Sequence, residues 1–155
     1  MPEAYALSRV RWQFFITLTF PDDTLPQPNR EKLAGALLGK LCRKEPKTRF
    51  KKLLWCRRWE LGSKTLRGHY HITVAGLHSS KVTVATCEQI RNLWFNLIGG
   101  IATAEIYNDA LGGVAYILKL PYDPSGKGDY QEVWNKKEAE HLQPTLSASL
   151  LRLRW

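Results

Sequence analysis

Apolar and polar positions alternate in some stretches of this chain and recur every three or four residues in others, and the two periods divide it into elements. In "WQFFITLTF" aromatic and β-branched residues crowd together until "PDD" breaks the run, which predicts a strand over 12–20. Phe14, Ile16, Leu18 and Phe20 then share one face, and Phe15, Thr17 and Thr19 the other. In "NREKLAGALLGKLCRK", Leu33, Leu37 and Leu41 recur at helical spacing after the Pro-rich "LPQPN", so a helix is expected over 30–44 with Asn29 as its cap. "FKKLLWCRRWEL" and "GHYHITVAGL" read as two strands joined by a short loop around "GSKTLR". Cys87, Ile90, Trp94, Leu97 and Ile98 form one helical stripe that Gly99 and Gly100 end. "IATAEIYN" is a further short strand, and Asp109 is placed to cap a helix through "ALGGVAYILKL", stopped by Pro121.

The predicted order is β α β β α β α. It belongs to the α+β class: a central antiparallel sheet with flanking helices. Residues 1–123 are expected to form the domain, and 124–155 a loop ("YDPSGKGDY") and a tail, weakly helical in "SASLLRLRW", that packs on it. The 155 residues fit one domain, and 44% hydrophobic residues suffice for its core.

Charge narrows the class of partner. The chain carries 23 basic and 14 acidic residues, a net charge of +9, which favours a polyanion and above all nucleic acid. Cys42, Cys56 and Cys87 share no metal-type spacing and read as reduced, mostly buried thiols. "MPEAYALSRVRW" lacks the apolar core of a signal peptide, and no apolar run reaches the roughly 20 residues that span a bilayer. A cytoplasmic protein without a membrane partner is expected.

The candidate chemistry lies in "RGHYHITVAGL". Residues two apart on a strand point the same way, so His69 and His71 project together while Tyr70, Ile72 and Val74 face the other side. Two neutral imidazoles side by side are half of a divalent metal site. If the hairpin loop is Ser63–Leu66, Gly62 faces Arg67 and Glu60 faces His69, so Glu60, His69 and His71 converge on one face. A slip of one residue would send Glu60 to the opposite face, and Glu60 has a competing use as the ion-pair partner of Arg58 or Arg67. His78 and His141 have no partner at useful spacing and read as surface residues. Farther on, Tyr116 and Lys119 in "VAYILKL" lie three apart on one helix face. A phenol with a pKa near 10 becomes a nucleophile at neutral pH only if a cation or metal stabilises its phenolate.

In their order, "FITLTF", Glu60, "HYH" and "YILK" resemble the HUH endonucleases, specifically the single-tyrosine rolling-circle replication initiator (Rep) branch. The resemblance covers roughly residues 12–120. It implies that Tyr116 attacks a phosphodiester of single-stranded DNA, leaving a 5′-phosphotyrosine and a free 3′-hydroxyl that can later rejoin the strand. It implies that Glu60, His69 and His71 hold Mg²⁺ or Mn²⁺, and that Lys119 helps position the phosphate. Thr17 and Thr19, in the first motif, would support the site. The implied partner is an origin stem-loop, in a bacterial, phage or plasmid replicon or, for a eukaryotic virus, in the nucleus. No Walker-type phosphate loop is present, so the helicase that often follows a viral Rep nuclease is absent from this sequence, which is either a stand-alone protein, with a host or separate helicase, or an excised domain. Tyr122 follows Pro121 and falls off the tyrosine helix, and relaxases usually offer three histidines where this chain offers two.

DNA contacts are expected from the basic stretch "KLCRKEPKTRFKKLLWCRRW", above all Lys47, Arg49, Lys51, Lys52, Arg57 and Arg58. Trp55 and Trp59 can either stack on unpaired bases or pack in the core, because they share a strand face with Arg57 opposite Glu60. Two other readings stand beside the endonuclease: a single-tyrosine HUH transposase, and a non-catalytic module that binds single-stranded nucleic acid.

Overall fold

A computed structural model describes residues 9–22, 24–43, 53–62, 67–111, Ile117 and the pair Val133–Trp134. The elements are β1 (Phe14–Thr19), α1 (Gln27–Arg43), β2 (Leu54–Leu61), β3 (Gly68–Ala75), α2 (Val84–Ile98), β4 (Ile101–Ile106) and β5 (Val133–Trp134), with short 3₁₀ turns at Ser79–Lys81 and Asp109–Leu111. The strands form one sheet in the order β4-β1-β3-β2-β5, antiparallel throughout, so the chain has the expected α+β fold.

One face of the sheet carries the core. Phe14, Ile16 and Leu18 of β1 and Tyr70, Ile72 and Val74 of β3 are fully buried against Ala34, Leu37, Leu38 and Leu41 of α1 and Cys87, Ile90 and Trp94 of α2. Each large apolar side chain buried there contributes about 1.5–3 kcal/mol. Trp94 also donates from its indole nitrogen to the Thr19 carbonyl at 3.1 Å and meets Phe20 edge-on at 5.0 Å, locking α2 to the end of β1. Thr83 caps α2, accepting from the Thr86 N–H at 3.2 Å, and Gly99 ends it in the left-handed region at φ 69°, where a Cβ would be strained. Both helices thus lie on one side, and Thr17 of β1, Glu60 of β2 and His69 and His71 of β3 face the other.

The structure corrects several boundaries. Helix α1 starts at Gln27, and the N–H groups of Asn29 and Arg30 both reach the Pro26 carbonyl at 3.0 and 3.1 Å, so Asn29 lies inside the helix and does not cap it. Proline is tolerated in a first turn, whose N–H groups have no helical partner. After β4 the capping side chain is Asn108, whose Oδ1 accepts from the Ala110 N–H at 3.0 Å; Asp109 is part of the turn itself. Of the helix expected over 110–120, Ile117 is helical and fully buried, and residues 112–116 and 118–120 lie outside the described residues. Val133 and Trp134 pair with Arg57 and Cys56, so part of the 124–155 segment joins the same sheet as a strand. "VW" between polar residues is too short an apolar run for the alternation to reveal it. Cys56 and Cys87 are buried as expected, and burial pushes the Cys87 thiol up. Among the described residues no helix is long and apolar enough to cross a membrane.

Candidate metal centre

The β2–β3 hairpin sets the centre. Glu60 pairs with His69, Leu61 with Gly68, and the Gly62 N–H donates to the Arg67 carbonyl at 2.9 Å, which is the register that brings Glu60 to the histidine face. Tyr70, between the histidines, turns into the core and packs edge-on against Trp59 at 5.0 Å and Phe20 at 5.8 Å. With its alternate residue fixed in this way, β3 cannot slip without moving the core. Gly68, one step before His69, leaves space for the Trp59 indole; a Cβ there would overlap that ring.

Glu60, His69 and His71 each offer one ligand atom within 4.8 Å of the others. The two Nε2 atoms are 3.1 Å apart, and His71 Nε2 is 3.4 Å from Glu60 Oε2. Ligands held about 2.1 Å from one ion at right angles stand about 3 Å apart, so the spacing suits three adjacent positions on one divalent cation. Second partners fix the rings. His69 Nδ1 is 3.2 Å from the Arg67 carbonyl, which only accepts, so Nδ1 carries the proton and Nε2 the lone pair. His71 Nδ1 is 3.0 Å from Thr17 Oγ1 on β1, and donation from Nδ1 to that hydroxyl puts the ring's lone pair on Nε2. The His71 pKa is pushed down to about 4, first by burial, then by His69, with Arg58 adding to both and Glu60 opposing. His71 is thus neutral at pH 7, the form a metal needs. Two imidazoles and a carboxylate together are a donor set for a divalent cation.

Arg58 Nε lies 3.1 Å from Glu60 Oε1, so Glu60 serves both the expected ion pair and the histidine cluster through its two oxygens. Arg57 and Arg58, expected on the DNA surface, are 5% and 7% exposed. Arg57 lies 3.7 Å from Glu31 on α1 and over the Tyr70 and Trp55 rings. Both arginines are enclosed beside carboxylates and not presented to a phosphate backbone. Trp59 is likewise in the core, under the Arg30 guanidinium at 4.0 Å, and Trp55 packs against the core in part, so neither is an open stacking platform. A count of charges along a sequence does not distinguish an arginine under a helix from one in solvent.

Tyr116 and Lys119, like Lys47, Arg49, Lys51, Lys52, His141 and the loop Ser63–Leu66, lie outside the described residues. Leu111, five residues before Tyr116 in the sequence, lines the same cavity as His71 and Phe15. His78 is exposed and caps the Ser79–Lys81 turn, accepting from the Ser80 N–H at 3.3 Å. The partners the sequence reading missed are the Arg67 carbonyl on His69 and Phe15, whose ring stacks on His71 at 5.6 Å. The alternation within β1 puts Phe15 on the Thr17 face, but only the pairing of β1 with β3 brings it to the histidines. No protein-family model, curated protein or solved structure matches this chain.

Proposed function

We propose that this chain is a metal-dependent endonuclease that nicks single-stranded DNA at a replication origin and rejoins it through a phosphotyrosine, as a rolling-circle initiator does. The observation that carries the reading is the convergence of Glu60, His69 and His71 into a ligand-spaced cluster, with Leu111, five residues before Tyr116 in the sequence, lining the cavity beside it. Those three residues would hold Mg²⁺ or Mn²⁺, which when bound supplies Lewis acidity to a phosphate oxygen. Thr17 and the Arg67 carbonyl hold the imidazoles in the ligating tautomer. The Tyr116 oxygen attacks phosphorus and the bond to the 3′ oxygen breaks. The phenol gives up its proton and the departing 3′ oxygen takes one. Lys119 favours the phenolate and contacts the phosphate. The bond energy kept in the phosphotyrosine lets a later 3′-hydroxyl reverse the step. The net charge of +9 suits a DNA partner.

The test is incubation of the full chain with Mn²⁺ and single-stranded oligonucleotides from its own replicon's origin. Wild type forms a covalent adduct that survives denaturation, EDTA prevents it, and Tyr116→Phe forms none. An adduct in the Tyr116→Phe variant moves the nucleophile elsewhere. Failure of wild type on that origin overturns the endonuclease and leaves a binding module.

A further inference from the structure

Beside the metal cluster the same sheet face opens into a cavity of about 300 Å³ whose walls include Phe15, His71, Glu105, Ile106, Asn108 and Leu111. That volume is at the small end of ligand sites, room for one ring system. Its walls are chiefly apolar, and two of them, Ile106 and Leu111, stay 43% and 74% exposed, so a ring entering the cavity covers apolar surface now in water. Phe15 already stacks on the His71 imidazole with 30° between the planes, which offers a planar ligand an aromatic wall contiguous with the metal cluster. Beside His71 and Tyr107, two more polar side chains, Glu105 and Asn108, complete the cavity. The Glu105 carboxylate only accepts hydrogen bonds when ionised and repels phosphate. Asn108 Oδ1 already accepts from the Ala110 N–H at 3.0 Å, so its NH₂ is the group on offer to a ligand.

From this arrangement we infer that the cavity is a base slot: it takes the nucleobase adjoining the phosphate at the metal cluster, and Glu105 with Asn108 make it prefer adenine or cytosine to thymine. The inference rests on the reading of single-stranded DNA as substrate. Adenine and cytosine each present an exocyclic amine beside a ring-nitrogen acceptor, the complement of a carboxylate beside an amide NH₂. Thymine sets a carbonyl oxygen where the amine would be, and that oxygen meets the Glu105 carboxylate. Sharing His71 with the metal cluster keeps the slot within one nucleotide of the reacting phosphate, so the base it holds would help choose which bond is cut.

The test is fluorescence anisotropy of the full chain with Mn²⁺ and labelled oligo(dA), oligo(dC) and oligo(dT). Wild type binds oligo(dA) and oligo(dC) about 10-fold more tightly than oligo(dT), the size of one good base-edge contact. Glu105→Gln, which puts a donor where only an acceptor stood, brings the ratio to within about 2-fold. Leu111→Trp, at an exposed position, fills the cavity and weakens binding to oligo(dA) and oligo(dC) while leaving oligo(dT) unchanged. Equal binding of the three oligonucleotides by wild type, or a preference that survives both substitutions, overturns the slot. If the preference fails while the Tyr116 adduct still forms, the slot is wrong and the endonuclease stands. If the chain binds none of the three, the DNA reading falls and the slot falls with it.

Discussion

Thr17→Val isolates the support of the metal centre from its ligands. Valine keeps the β-branched shape that suits β1 and removes only the hydroxyl that stands 3.0 Å from His71 Nδ1. A hydrogen bond of this kind is worth about 0.5–1.5 kcal/mol net, and a buried Nδ1–H left without a partner raises the cost to about 1–3 kcal/mol. His71 is mostly buried, so water does not easily replace the hydroxyl. At about 1.4 kcal/mol per tenfold, the loss corresponds to Mn²⁺ affinity about 10- to 100-fold weaker, the range found when the outer partner of a metal-bound histidine is removed. Titration calorimetry of Mn²⁺ into the full chain reads this directly, with His71→Ala as the reference that abolishes the site. An affinity for Thr17→Val within about twofold of wild type, while His71→Ala abolishes binding, would refute the claim that the hydroxyl orients the ring. Unchanged affinity in His71→Ala and Glu60→Gln alike would refute the metal centre itself.

Two further outcomes follow from the same geometry. His71 has a folded-state pKa of about 4 against an ordinary 6.5, so between those values the unfolded chain binds more protons than the folded one. The apo protein therefore keeps this contribution in full above about pH 6.5 and loses stability as pH falls toward 4; urea denaturation at a series of pH values should show that slope lessened in His71→Gln, and identical slopes would exclude His71 as its source. Gly68→Ala drives a methyl group into the Trp59 indole, which Phe20, Tyr70 and Arg30 surround. Overpacking of this kind costs about 1–3 kcal/mol, so thermal unfolding should shift down by several degrees, and an unshifted melting curve would show that the indole can move aside.

The sequence made the centre legible to the extent that its contacts are local. Glu60 and His69 belong to one hairpin, so counting back from a short loop places them opposite each other, and the structure has that register. Thr17 reaches His71 across 54 residues of sequence, through the pairing of β1 with β3, which no local pattern encodes. Alternation identified the core face of β1, and Gly99 marked the end of α2, because both follow from steric rules that act over a few residues. The basic stretch misled in part: Arg57 and Arg58 count as surface charge in the sequence, yet the sheet folds them beside Glu31 and Glu60. The start of α1 was obscured by Pro28, which reads as a breaker inside a helix and as an ordinary residue in its first turn.

Strand β3 alternates between two duties with every residue. Tyr70, Ile72 and Val74 anchor the fold, and His69 and His71 face the candidate metal centre. Replacing an imidazole changes which cation, if any, is held, yet leaves the apolar packing beneath it in place. The chemistry of this face can therefore drift from one metal, or one substrate, to another at little risk to the scaffold. The reverse does not hold: a change at Tyr70 disturbs both.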